Sequence, residues 1–136
     1  MLASVDGKTP ELTVTALIRA RFCELAGEQL PGPRPGELFT LGLFSVIDAL
    51  MDAPIEDVIA LIPFPRDMRD ALVHRAGEKG ALLDSVTALE AGDFDRARKL
   101  VRGAGDLYLQ ALMWANGAAD ALSEGAGDAV QRPHAA

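Results

Sequence analysis

Cysteine occurs once in this chain of 136 residues, histidine twice, and tryptophan and tyrosine once each. The lone thiol, Cys23, excludes an intramolecular disulfide and a thiolate cluster for zinc, since both need further cysteines. Set between Phe22 and Glu24 in a helical pattern, it reads as a packing residue rather than a nucleophile. His74 and His134 lie far apart in the sequence, too few and too scattered for a histidine-rich metal centre. Aromatics make up 5% of residues against 49% hydrophobic, so the core must be built from Leu, Ala, Val and Ile. Basic residues are also in deficit, 13 against 20 acids, for a net charge of −7. That balance disfavours nucleic acid as the partner, although small basic spots occur at Arg19, Arg21 and Arg34 and at Arg96, Arg98, Lys99 and Arg102. Asp48 and Asp52 interrupt the longest apolar run, which falls short of the roughly 20 residues of a membrane span. The polar start, Met1 to Thr9, has no signal-peptide core, and a cytoplasmic protein without a membrane partner is expected.

What the chain does contain is helical periodicity. Thr9 and Pro10 read as an N-cap and first helical residue, after a flexible segment 1–8. Leu12, Ala16, Leu17, Phe22 and Leu25 then mark one face of a helix that stops at "GEQLPGPRPGE". From Gly36 to Met51 apolar side chains cover nearly the whole circumference, which predicts the central, most buried helix. Gly42, Ser45 and Ala49 form a stripe of small residues on it, suited to close helix approach. Pro54 and Pro65 each open a short helix, with Glu56 and Asp57 near the first N-terminus and Gly77 stopping the second. A further helix spans Glu78 to Ala91, another begins after Asp93, and a last one covers Asp106 to Leu122. Leu107, Leu109, Leu112, Met113 and Ala118 are its expected apolar face, with Tyr108 and Trp114 as anchors. No stretch alternates like a strand. The reading is an all-α, multi-helix bundle of about seven helices over residues 9–122, followed by a disordered tail, 123–136.

Catalytic patterns are weak. Asp48 is the one charge between Leu38 and Met51, and Asp52 lies one turn on. The pair would serve acid–base chemistry only within a cleft, and a helix-rim or capping role is the simpler reading. His74 suits the C-terminus of its helix, where a cation is stabilised. "GPRPG" and "GAG" lack the preceding strand of a phosphate-binding loop. "LEAGDFDRARKLV", Leu89 to Val101, resembles the turn of a tetratricopeptide repeat, but no second copy follows and it reads as a helix–turn–helix. No cofactor is expected.

Four segments in order, "IRARFCELAG" at Ile18–Gly27, "ELFTLGLFSVIDALMDAPIEDVIALIPFPRDMRDAL" at Glu37–Leu72, "LLDSVTALEAGDFDRA" at Leu82–Ala97 and "LYLQALMWAN" at Leu107–Asn116, resemble the C-terminal part of HDOD domains, as found beside EAL domains in bacterial signalling proteins. The resemblance implies an all-helical fold related to HD phosphohydrolases but without their metal ligands, none of which stands at a matching position. It implies a non-catalytic regulatory or protein-interaction module linked to cyclic di-GMP signalling, with an EAL-type domain as partner. By that resemblance the sequence is expected to carry neither the first helices of such a domain nor an EAL domain, as a piece of a longer protein or a small stand-alone relative would. Apolar surface normally covered by the missing helices would then be exposed, which predicts a homodimer or another interface. Two other readings stay open at this point. One is a degenerate phosphohydrolase using Asp48, Asp52 and His74. The other is a nucleotide sensor with a pocket between the central and last helices, and Tyr108 and Trp114 at its mouth.

Overall fold

The computed structural model describes residues 2–32 and 35–131, with side chains described for 11–32, 36–47 and 49–122. Among these residues the fold is all-α. Helix α1 (Leu2–Ala26) leads through a 3-10 turn at Gly27–Gln29 to α2 (Pro35–Phe44), α3 (Ile47–Met51) and α4 (Ile55–Ile59). Then follow α5 (Arg66–His74), α6 (Gly77–Glu90), α7 (Phe94–Leu100) and α8 (Ala104–Gln131). Each of the seven expected segments is present, and the second is divided in two. The division has a local cause at Ser45. Its hydroxyl donates to the Gly42 carbonyl at 2.6 Å and its amide reaches the same oxygen at 3.2 Å, a tighter link than the α-helical one.

Several boundaries differ from the sequence expectation. Helix α1 already begins at Leu2, so Thr9 and Pro10 lie within it and not at its start; Leu2, Ala3 and Lys8 are good helix formers. Helix α8 continues past Leu122 to Gln131, because alanine favours helix without any amphipathic period; residues 132–136 lie outside the described residues. Helix α5 ends on Arg75, which takes the left-handed conformation (φ 56°), while Gly77 opens α6. A non-glycine residue holds that strained turn because its guanidinium donates to Asp84 Oδ1 at 3.2 Å and to Thr87 Oγ1 at 3.3 Å on α6. Gly80 makes room for the turn: a Cβ there would lie 2.1 Å from the Arg75 carbonyl.

Helices α1 and α6 form the middle of the bundle. Half of the fourteen residues of α6 are buried, among them Leu82, Leu83, Val86 and Leu89. This helix is more enclosed than the Gly36–Met51 segment that looked central in sequence. There Leu38, Leu41 and Val46 turn inward, but past the Ser45 break Leu50 and Met51 face solvent. The turn after α6 behaves as a helix–turn–helix. Gly92 takes a positive φ, Asp93 caps α7 by accepting from the Arg96 amide, and Ser85 donates to the Ala97 carbonyl across the interface. The inner face of α8 also departs from expectation. Ala104, Ala111 and Ala115 are fully buried and Leu107, Tyr108 and Leu112 flank them, whereas Leu109 and Met113 point outward.

Small residues set the helix spacing. A Cβ on Gly42 would stand 2.3 Å from the Arg19 carbonyl oxygen and 2.6 Å from the Ala20 Cα, so α1 and α2 touch backbone to backbone. Gly42→Ala is therefore expected to destabilise the protein by about 2–3 kcal/mol. Gly105→Ala, in the first turn of α8 with nothing within 4 Å, should be neutral or stabilise by about 0.5 kcal/mol. Urea unfolding of the two variants beside the parent checks both signs.

Candidate functional site

The sequence-predicted residues fall in separate places. Asp48 belongs to α3, but its side chain lies outside the described residues. Asp52 follows α3 with a left-handed φ of 53° and is exposed, a position where Asp is tolerated better than most residues. Tyr108 and Trp114 flank Ala111 on its two sides, as six residues along a helix require. His74 is exposed in the last turn of α5, the helix-end position expected from the sequence. Cys23 is fully buried, and burial pushes its thiol up to about 12 against the opposing pull of Arg19 and Arg75. It packs in the core beside Phe22 and is no thiolate at neutral pH. Among the described residues no three His, Cys, Asp or Glu side chains converge as metal ligands.

Tyr108 belongs to a polar junction that the sequence did not disclose. Arg19 on α1 grips Glu90 at the end of α6 through two bonds of 2.9 and 2.8 Å. Its remaining nitrogen donates to the carbonyl and hydroxyl of Ser45 at 3.3 and 3.2 Å. One guanidinium thereby ties three elements together at the point where α2 breaks. Burial raises the Tyr108 phenol above its ordinary value; Glu90 adds to the shift and Arg19 opposes it. Trp114 lies in different company. Phe39 of α2 meets its ring edge-on at 5.9 Å, and the Arg21 guanidinium sits 5.6 Å above it. The space foreseen between the central and last helices is thus bridged by a Phe39–Trp114 contact. The basic spots are drawn into similar pairs: Arg21 with Glu24, Arg96 with Asp84 and Arg98 with Asp95.

A second charged cluster joins α2, α5 and the start of α6. Lys79 contacts Asp67 and lies 3.4 Å from Glu37. The hydrogen bond from Lys79 holds the Asp67 carboxyl below the ordinary carboxylate range. For Lys79, burial works against the charge, but the two acids outweigh it and the amine is raised.

The surface carries its own signal. Leu50 and Met51 at the end of α3 and Leu61 just after α4 are exposed. Beside them a groove of about 300 Å³ runs between α4 and α5, lined by Glu56, Ile59, Ala60, Arg69, Asp70, Val73 and His74. From residue 35 to residue 65 the sequence has no Lys, Arg or His. That absence was readable from the sequence; the groove, made by two helices of different direction, was not.

Comparison with known proteins gives two relatives. The chain is 38% identical over 92 residues to the cyclic di-GMP phosphodiesterase CdgJ of Vibrio cholerae, covering 66% of this chain and 21% of that protein. It is 29% identical over 116 residues to the YuxH protein of Bacillus subtilis, covering 82% of this chain and 28% of the relative. The chain spans less than a third of either relative. No family model matches it, and no solved structure does.

The buried thiol gives a pH test with a definite sign. An unfolded cysteine ionises near pH 9 while Cys23 holds its proton to about 12. In that window the native state binds the extra proton, so stability falls as pH rises, by about 1.4 kcal/mol per pH unit from this group. Tyr108 and Lys79, also raised, add slope of the same sign. Chemical denaturation at stepped pH should show a shallower decline for Cys23→Ala than for the parent. A thiol reagent at pH 8 should label Cys23 only on unfolding; fast labelling of the native protein would contradict its burial.

Proposed function

We propose that the chain is an HDOD-like, non-catalytic interaction module of bacterial cyclic di-GMP signalling. The observation that carries this reading is the 38% identity to one fifth of a cyclic di-GMP phosphodiesterase, together with the ordered HDOD-like segments from Ile18 to Asn116. The matched 92 residues are of the size of a single domain. The module works by docking a helix face on an EAL-type phosphodiesterase domain and biasing its conformational equilibrium, which requires different affinities for the two states. A cytoplasmic setting goes with this reading. The side chains best suited to chemistry give a degenerate hydrolase little support: the thiol is buried and protonated, and His74 and Asp52 are exposed at the ends of separate helices.

Light scattering across a concentration series, with and without an EAL-type phosphodiesterase domain, tests the proposal. A mixed complex of defined mass, accompanied by a changed rate of cyclic di-GMP hydrolysis by the partner, is the expected result. A mass that ignores the added domain overturns docking. Metal-dependent nucleotide hydrolysis by the chain alone, abolished in Asp48→Ala, would overturn the non-catalytic reading.

A further inference from the structure

Taking the interaction-module reading as its basis, we infer that the surface formed by α3, α4 and the α4–α5 groove receives a basic amphipathic helix of a partner protein. Leu50 is 45% exposed, Met51 59% and Leu61 83%, three large apolar side chains within two successive short helices and their exits. Three exposed large apolar side chains within twelve residues of sequence are denser than the singly scattered ones that need no explanation. Beside them the groove has an apolar floor of Ile59, Ala60 and Val73 and a volume of about 300 Å³, room for a bulky anchoring side chain.

Charge selects the occupant. Glu56 and Asp57 are exposed on α4, next to the apolar ridge, in a stretch where the sequence offers no cation of its own. The opposite wall of the groove, on α5, carries Arg69 and His74, with Arg69 donating to the Phe64 carbonyl and Asp70 beside Arg66. Acids thus outnumber cations here, Glu56, Asp57 and Asp70 against Arg69, with the unopposed pair on α4. A helix with Lys or Arg along one edge of its apolar stripe fits in one orientation only, with that edge over Glu56 and Asp57. A second copy of this chain fits poorly. A two-fold interface would bring this net acidic surface against its own copy, within a protein already at −7. An anionic lipid surface is repelled for the same reason.

The test uses a fluorescein-labelled amphipathic Leu/Lys peptide and its Leu/Glu counterpart, read by anisotropy against the full chain. Hydrogen exchange locates any protected segment. The expected result is binding of the Leu/Lys peptide alone, with protection gathered over residues 50–61. The double variant Met51→Ser/Leu61→Ser should weaken it about tenfold or more. Leu109→Ser/Met113→Ser, on the outward face of α8, should not change it. Glu56→Gln/Asp57→Asn should flatten its salt dependence. All these positions are exposed, and unchanged helicity by circular dichroism confirms that each variant folds. No binding, protection elsewhere, or equal loss in the α8 variant would overturn the assignment. The mixed complex with the phosphodiesterase domain separates the two readings. If that complex survives Met51→Ser/Leu61→Ser unchanged, this surface is wrong and the module stands. If the parent forms no complex, the module reading fails, while the peptide result still decides the surface.

Discussion

Contact between backbones, rather than the bulk of side chains, governs this bundle. The Arg19 carbonyl lies where a Cβ of residue 42 would have to be, and the buried seam of α8 is made of alanines. Helices that meet through small residues approach closely and leave little room for rotation, since ridges and grooves must interlock without long side chains to adjust the fit. With aromatics scarce, a core of Leu and Val wrapped around such seams is the available way to fill the interior. Phe22, Leu41, Leu83 and Val86 occupy the space between the seams and are fully buried. Spacing set in this way also places the polar groups. Arg19 reaches both Glu90 and Ser45 because α1 runs against the break in α2.

That break ends α2 well before the apolar segment does. At about 100° per residue, Leu50 and Met51 lie more than 100° round a helix from Leu38, so even one straight helix would not turn all of them to the core. The Ser45 turn redirects the chain, and Arg19 donates to both the carbonyl and the hydroxyl of the residue that makes the turn. A charged group thus secures the backbone irregularity between α2 and α3. The arrangement lowers the burial available to α3 and α4, which are only five residues each, too short to be stable without tertiary contacts.

The class of fold was legible because helical periodicity is a local property and every segment carried it. Its hierarchy was not. The stretch Gly36–Met51 looked central because apolarity was read all round its circumference, but enclosure depends on what surrounds a helix. Helix α6, with Asp84 and Thr87 engaged by Arg75 and its remaining faces covered, is more enclosed. In α8 the large residues Leu109 and Met113 misled the assignment of the inner face, since alanines at 104, 111 and 115 carry weak hydrophobic signal and strong geometric meaning. Tyr108 and Trp114 stand out as the one tyrosine and one tryptophan of the sequence, yet nothing local told that one would lie near Glu90 and the other against Phe39. Partners seventy residues distant in sequence, such as Glu90 for Arg19, are beyond the reach of any periodic reading.

Function follows the same division between local and spatial information. Segment order pointed to an accessory domain of cyclic di-GMP signalling, and the similarity to part of CdgJ agrees in kind. Chemistry by this chain would need a nucleophile or base held in a cleft at a useful pKa. The groove between α4 and α5 does hold titratable groups, Glu56, Asp70 and His74, but its lining residue Ala60 and the adjoining Leu61 are exposed. Water has free access to such a site, so charges in it are screened and shift little free energy toward a transition state. The same features serve binding well. Apolar anchors release water on contact, and the exposed acids Glu56 and Asp57 set direction and rate of approach. On physical grounds the exposed apolar side chains Leu50, Met51 and Leu61 are better suited to being covered by another helix than to chemistry.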